Sequence, residues 1–323
     1  MTRRRDALRA IPALTLLAAG CAPVARRFAG GDEEGGIGGT GIFGTVTALG
    51  SLQVNGLLVE TGAGTRIETL TGGPVLPGDT VAVEAARAEG RLVARGVTAF
   101  HPVMGPIGAL PDSGLSVLGT SVAVEPGVPV RAADGSVLPA AVLRPGQMVA
   151  VSGLWRGDSV VATALRLVEP ASGAVLRGQL RRRGLAWQVG GTQLLFRGLM
   201  PNLPEEGFVT VRGAARPEGL VVESLEEQPL MVFSRRIDAL SVEGFGAVNR
   251  GAPGFHLAGF GLPLDPTSPA VPPPGERWLL LGQRGATFRV AEGLALPADP
   301  ARRAALLEGP EASALIRRWL AAA

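Results

Sequence analysis

Four short segments of this chain are variations on one pattern, and that repetition constrains the fold more than any other feature. GDTVAVEA from Gly78, GQMVAVSG from Gly146, GFVTVRGA from Gly207 and GERWLLLG from Gly275 each place a glycine and a polar or bulky residue before a short apolar strand. Their starts lie 68, 61 and 68 residues apart. A second strand follows each, at Gly90, Gly157, Glu218 and Gly285, so each pair reads as a β-hairpin. Two or three further strands precede it, as in GTVTALGSLQVNGLLVET from Gly44, where Asn55-Gly56 supplies a type I′ turn. A recurring period of this size marks a repeated supersecondary unit. Five short strands per unit suffice for a small barrel, and closure removes exposed edges. The expected fold class is all-β: about four tandem small five-stranded OB-like β-barrels with a short C-terminal helical tail.

Composition fits many short strands better than long helices. Glycine (47) and proline (26) punctuate a chain that is 46% hydrophobic, so it has both turns and core. The formal net charge of +3 includes Arg3, Arg4, Arg5, Arg9 and Asp6, so the chain from Cys21 onward is neutral. A nucleic-acid partner is not expected, because no surplus of cations remains to neutralise phosphates.

The N-terminus has a basic start, an apolar run from Ile11 to Ala19 and small residues before the only cysteine, Cys21. The run is too short to span a bilayer. LAAGC resembles a lipobox, with Ala18 where leucine is commonest, which implies acylation of Cys21 and a lipid-held N-terminus. Arg4 and Arg5, followed by Asp6, Ala7, Leu8 and Arg9, resemble the twin-arginine export motif. An ordinary basic region serving general secretion is the alternative. Residues 22–40 hold six glycines without apolar periodicity and read as a tether. GGIGGTG lacks the ending of a phosphate-binding loop. The expected organisation is 1–20 signal peptide, 21–39 tether, 40–101, 102–170 and 171–229 three barrels, 230–297 a degenerate fourth, and 298–323 C-terminal helices.

GIGGTG before the first unit, GSLQVNG from Gly50 and the PGD strand followed by GRLVA resemble a bacterial family, domain of unknown function 5666. Its members occur as tandem repeats in exported proteins and lipoproteins. The resemblance covers roughly residues 40–170 and decays through the last two units. It implies small barrels like an OB-fold and no established activity, so it carries over no catalytic residue.

Little else in the sequence suggests chemistry. His101 reads as an exposed linker residue and His256 as a partly buried one; neither has a ligand partner at metal spacing, so no metal or cofactor is expected. No G-x-S-x-G elbow or HExxH occurs. Glu205-Glu206 reads as a solvated loop pair, and Asp79 as a local cap of the PGD turn. No catalytic residue is assigned. Trp155, Trp187 and Trp278 fall one per unit beside strands and read as core fillers. Arg181, Arg182 and Arg183 beside Trp187 form the candidate ligand-facing strip. In a neutral protein that strip suits glycan or protein better than nucleic acid. At the C-terminus, Asp299-Pro300 starts one helix and Gly309 stops it; beyond it, Ala312, Leu315, Ile316, Trp319 and Leu320 share a face suited to docking on the fourth barrel.

These features describe an exported protein, anchored in the membrane (the outer one in a two-membrane cell) through lipid on Cys21, which acts as a non-catalytic binding or scaffolding module of the cell envelope. An envelope hydrolase with an unrecognised site is the alternative. The repeat register also requires Val81, Val149 and Val209 to be buried, in four compact units with separate cores.

Overall fold

The structure is a computed structural model that describes residues 39–111, 114–198, 203, 206–227, 233–234, 236–248, 254–260 and 263–322. The first unit contains β1 (Gly39–Ala48), β2 (Leu52–Val54), β3 (Leu57–Glu60), β4 (Arg66–Glu68), β5 (Thr80–Ala88) and β6 (Arg91–Ala99). Its strands close in the order β1-β2-β3-β6-β5-β1, antiparallel everywhere except between β3 and β6. The second unit repeats this closure with β7 (Val103–Ala109), β8 (Gly114–Val117), β9 (Thr120–Val124), β12 (Met148–Arg156) and β13 (Ser159–Leu167). Two short strands, β10 (Val130–Arg131) and β11 (Val137–Leu138), lie along β13. The third unit does the same with β14 (Ala174–Arg183), β15 (Ala186–Val189), β16 (Thr192–Leu195), β17 (Glu206–Arg216) and β18 (Gly219–Glu227).

In the fourth unit β19 (Ile237–Val248), β20 (Phe255–Leu257), β21 (Arg277–Arg284) and β22 (Phe288–Ala295) keep the order. The third strand shrinks to two bridges, His256 with Pro263 and Leu264 with Phe288, because proline cannot sustain a ladder. The helices α1 (Pro300–Glu308) and α2 (Pro310–Ala322) follow. Asp299 caps α1 by accepting from the Arg302 N–H at 2.8 Å.

The expectation of separate cores is corrected. One buried cluster runs through all four units and includes Phe43, Phe100, Leu154, Trp155, Leu180, Phe245 and Phe288. Phe43 packs edge-on against Phe100 at 5.0 Å and against Phe260 of the fourth unit at 4.5 Å. The physical reason is size: a unit of about 60 residues buries only about 60% of its surface and is marginal alone, and apolar outer barrel faces let neighbours bury more. Strand pairing reinforces the fusion. β1 runs parallel to β19 along Gly39–Phe43, and β7 pairs with β14 at Val103 and Met104. Val81, Val149 and Val209 are fully buried, as the repeat register requires, the last two in this cluster and Val81 in a second one.

The helical tail docks through its expected face, with Ala312, Leu315, Ile316 and Trp319 buried and Leu320 half-buried. It covers the first unit as well as the fourth, since the same cluster holds Val46 and Val81 together with Leu279 and Leu281. The Trp319 indole N–H donates to the Gly282 carbonyl at 3.2 Å.

One recurring device ties the units together. The glycine that pairs with each of those three valines lacks the side chain a strand normally presents: Gly44, Gly105 and Gly178. Against Gly44 lies Asn55 and against Gly105 lies Leu118, each the first residue of the turn between its unit's second and third strands, at φ +57° and +54°. The third unit has Gly190 at that turn position, and Trp155 from the second unit fills the space instead. A Cβ on Gly178 would stand 2.9 Å from its ring and one on Gly190 2.5 Å. Gly259 of the fourth unit abuts the same indole, whose N–H donates to the Arg177 carbonyl at 2.8 Å.

Candidate functional site

The arginine strip does not form an open binding face. Arg181 pairs with Asp158 at 2.8 Å, and Arg183 reaches the same carboxylate. Arg182 faces Trp187 across the hairpin and its guanidinium lies 5.9 Å from the ring centre. Trp187 itself is 6% exposed. Its assignment as a ligand-facing ring is therefore corrected: antiparallel pairing lays an arginine over it while the barrel takes the rest. Trp155 is likewise buried, whereas Trp278 is half-buried with its N–H donated to Glu276 at 3.1 Å.

His101 is also corrected, from exposed linker to buried residue at 3% exposure. The link between the first two units is drawn against the third, whose Arg177 N–H donates to the Pro102 carbonyl at 2.9 Å. Burial, with Arg177 and Arg166 nearby, lowers His101 to a pKa of about 3. His256 is buried too, and burial with Arg181 also lowers it. Asp79 does cap its turn, accepting from the Leu76 N–H at 2.9 Å. It further pairs with Arg166 at 3.1 Å, 87 residues along the chain, in a seam between the first two units. Burial pushes the Asp79 carboxyl up, against the lowering pull of the Leu76 N–H, Arg166, Arg131 and Ser152.

Asp79, Ser152 and His101 have the residue types of a hydrolytic triad without its arrangement. The Ser152 hydroxyl is the middle member, 3.3 Å from Asp79 and 3.4 Å from His101 Nδ1. A triad needs the imidazole in the middle and the hydroxyl open to substrate, whereas all three residues here are at most 3% exposed. Among the described residues no group of three His, Cys, Asp or Glu could hold a metal. Cys21, Arg4, Arg5 and Glu205 lie outside the described residues, as does the side chain of Glu206.

The most concentrated polar site is one that the sequence reading passed over. Glu243, fully buried on β19, accepts from Arg277 Nε at 2.8 Å and from the Thr45 N–H and hydroxyl at 2.8 and 2.9 Å. Arg303 of α1 lies 3.7 Å away and also 4.0 Å from Glu125. Burial alone would push this carboxyl up, but Arg277, Arg303 and Thr45 together hold it below its ordinary range. The signal was present: a lone glutamate in the apolar run ALSVEGFGAV is rarely buried unless paired. Two cavities adjoin this cluster, one of about 280 Å³ beside Arg277 and one of about 200 Å³ beside Glu243 and Arg303.

Residues 43–98 and 104–166 each match the family model described as Domain of unknown function (DUF5666), one match per barrel over the first two units. The two matches stand in tandem. No curated protein and no solved structure matches it.

Proposed function

We propose that the chain is a non-catalytic scaffold of the cell envelope, exported and held to a membrane by lipid on Cys21. The observation that carries the scaffold reading is that the buried clusters cross unit boundaries, one reaching all four units and a second joining the first unit to the fourth and the helices, which makes them one stiff body rather than beads on a string. Burial of Trp155, Trp187 and Trp319 supports it further, because a glycan module presents such rings to its ligand. The location rests on the lipobox resemblance of LAAGC and the twin-arginine resemblance around Arg4 and Arg5.

Metabolic labelling with a fatty acid tests the anchor. Wild-type chain is expected to take up label and fractionate with membranes, while Cys21→Ser takes up none and becomes soluble. Unlabelled wild-type chain would end the lipoprotein reading. A glycan array with the full chain tests the scaffold, and saturable retention of any glycan would replace it by a binding role.

A further inference from the structure

The cavity of about 280 Å³ lies where the second unit meets the fourth, and it is independent of the scaffold reading. Its floor is the ring of Phe245, with Leu296 and Ala298 completing the apolar lining. Two guanidiniums flank that ring: Arg156 at 5.7 Å from its centre and Arg277 at 5.9 Å. Arg156 is exposed, and no acidic residue pairs with it among the described residues. Arg277 is 4% exposed; Glu243 takes its Nε and Nη2, which leaves Nη1 without an acceptor. Across the cavity Glu125, whose nearest cation is Arg303 at 4.0 Å, keeps Oε2 without a hydrogen bond.

Arg277 Nη1 and Glu125 Oε2 are themselves closed to solvent, so what the cavity presents is the unpaired guanidinium of Arg156 and the remaining, partly exposed face of the Glu125 carboxylate. Glu125 and Glu276 disfavour a simple anion. An apolar floor and a volume near the small end of ligand sites disfavour a large polyol. We propose that this cavity binds a small zwitterion, an α-amino acid with a short apolar side chain. Its carboxylate meets Arg156, in the field of Arg277. Its ammonium meets Glu125, and its side chain lies on Phe245.

Equilibrium dialysis of the full chain against labelled L-alanine, with acetate and methylammonium as competitors, tests this. Saturable binding is expected. Arg156→Ala and Glu125→Gln should each weaken it on the order of tenfold or more, the usual worth of a hydrogen bond to a charged group. Each half-ligand should compete at least about tenfold more weakly than alanine. Arg156 is exposed, so its variant keeps the fold, which thermal melting verifies. Absence of saturable binding, indifference to either substitution, or acetate competing as well as alanine would overturn the proposal.

Discussion

Thr120 in the second unit and Thr192 in the third occupy the same place in the repeat, and their hydroxyls meet at 2.8 Å. Each opens the third strand of its barrel, and the Thr192 hydroxyl also donates to the Leu118 carbonyl at 2.8 Å. Two copies of one motif thus face each other across an internal interface, as matching patches do in a symmetric dimer. Thr192→Val should cost about 1–3 kcal/mol by leaving buried polar partners unmade. Adding Thr120→Val should then cost less than its single effect. Urea melts of the four-member cycle measure this, and strict additivity would refute the coupling.

Trp155 fills sites left by glycines of two other units, so its removal should be felt by three barrels. Trp155→Ala is expected to cost about 3–5 kcal/mol. Gly178→Ala should also destabilise, since its Cβ would stand 2.9 Å from the ring. Thermal melts in which either variant matched wild type would remove Trp155 from this role.

His101 makes the fold sensitive to acid. Its folded pKa of about 3 lies below the ordinary 6.5, so the folded state resists a proton that the unfolded chain accepts. The stability it contributes is present above about pH 6.5 and is lost as pH falls toward 3, on the order of several kcal/mol. Urea midpoints should fall over that window, and His101→Gln should flatten the fall. An unchanged slope in the variant would assign the acid sensitivity elsewhere.

Because the units share a core, residues 102–170 expressed alone should melt without a sharp transition, while the full chain melts in one. Limited proteolysis should spare His101-Pro102, which is buried, and cut at the exposed Pro170–Ser172 turn. Early cleavage at 101–102 would mean that the link between the first units opens more easily than its burial indicates.

If export uses the twin-arginine route, replacing Arg4 and Arg5 with lysine should leave precursor in the cytoplasm, because that route reads the pair rather than its charge. Cell fractionation distinguishes this from normal export, which would assign the chain to general secretion.

The barrels could be read because their signals are local: a glycine before an apolar strand, Asn55-Gly56 at a hairpin, Asp299-Pro300 at a helix start. The fusion of the units was hidden because it depends on outward faces whose partners come from distant sequence. Val81 declares itself by its place in a strand, but nothing beside Phe43 announces Phe260. His101 and Trp187 were misjudged for the same reason. A linker and a hairpin are ordinarily wet; the neighbouring units dry the first, and Arg182 with the barrel's own interior covers the ring in the second. Glu243 was the reverse case, a charge whose apolar surroundings are visible locally while Arg277 and Arg303 are not.

The parallel pairing of β1 with β19 has a consequence for synthesis. Thr45 emerges from the ribosome 198 residues before the Glu243 that receives its hydrogen bonds. At roughly 5–20 residues per second, that separation is on the order of 10–40 s. During this interval the first barrel has an apolar strand edge with nothing beside it, the condition that invites mispairing. Completion therefore belongs to the beginning of the chain: the strand made first is the last to be finished, and if export runs by the twin-arginine route, its machine must wait for the final units before the first is ready to pass.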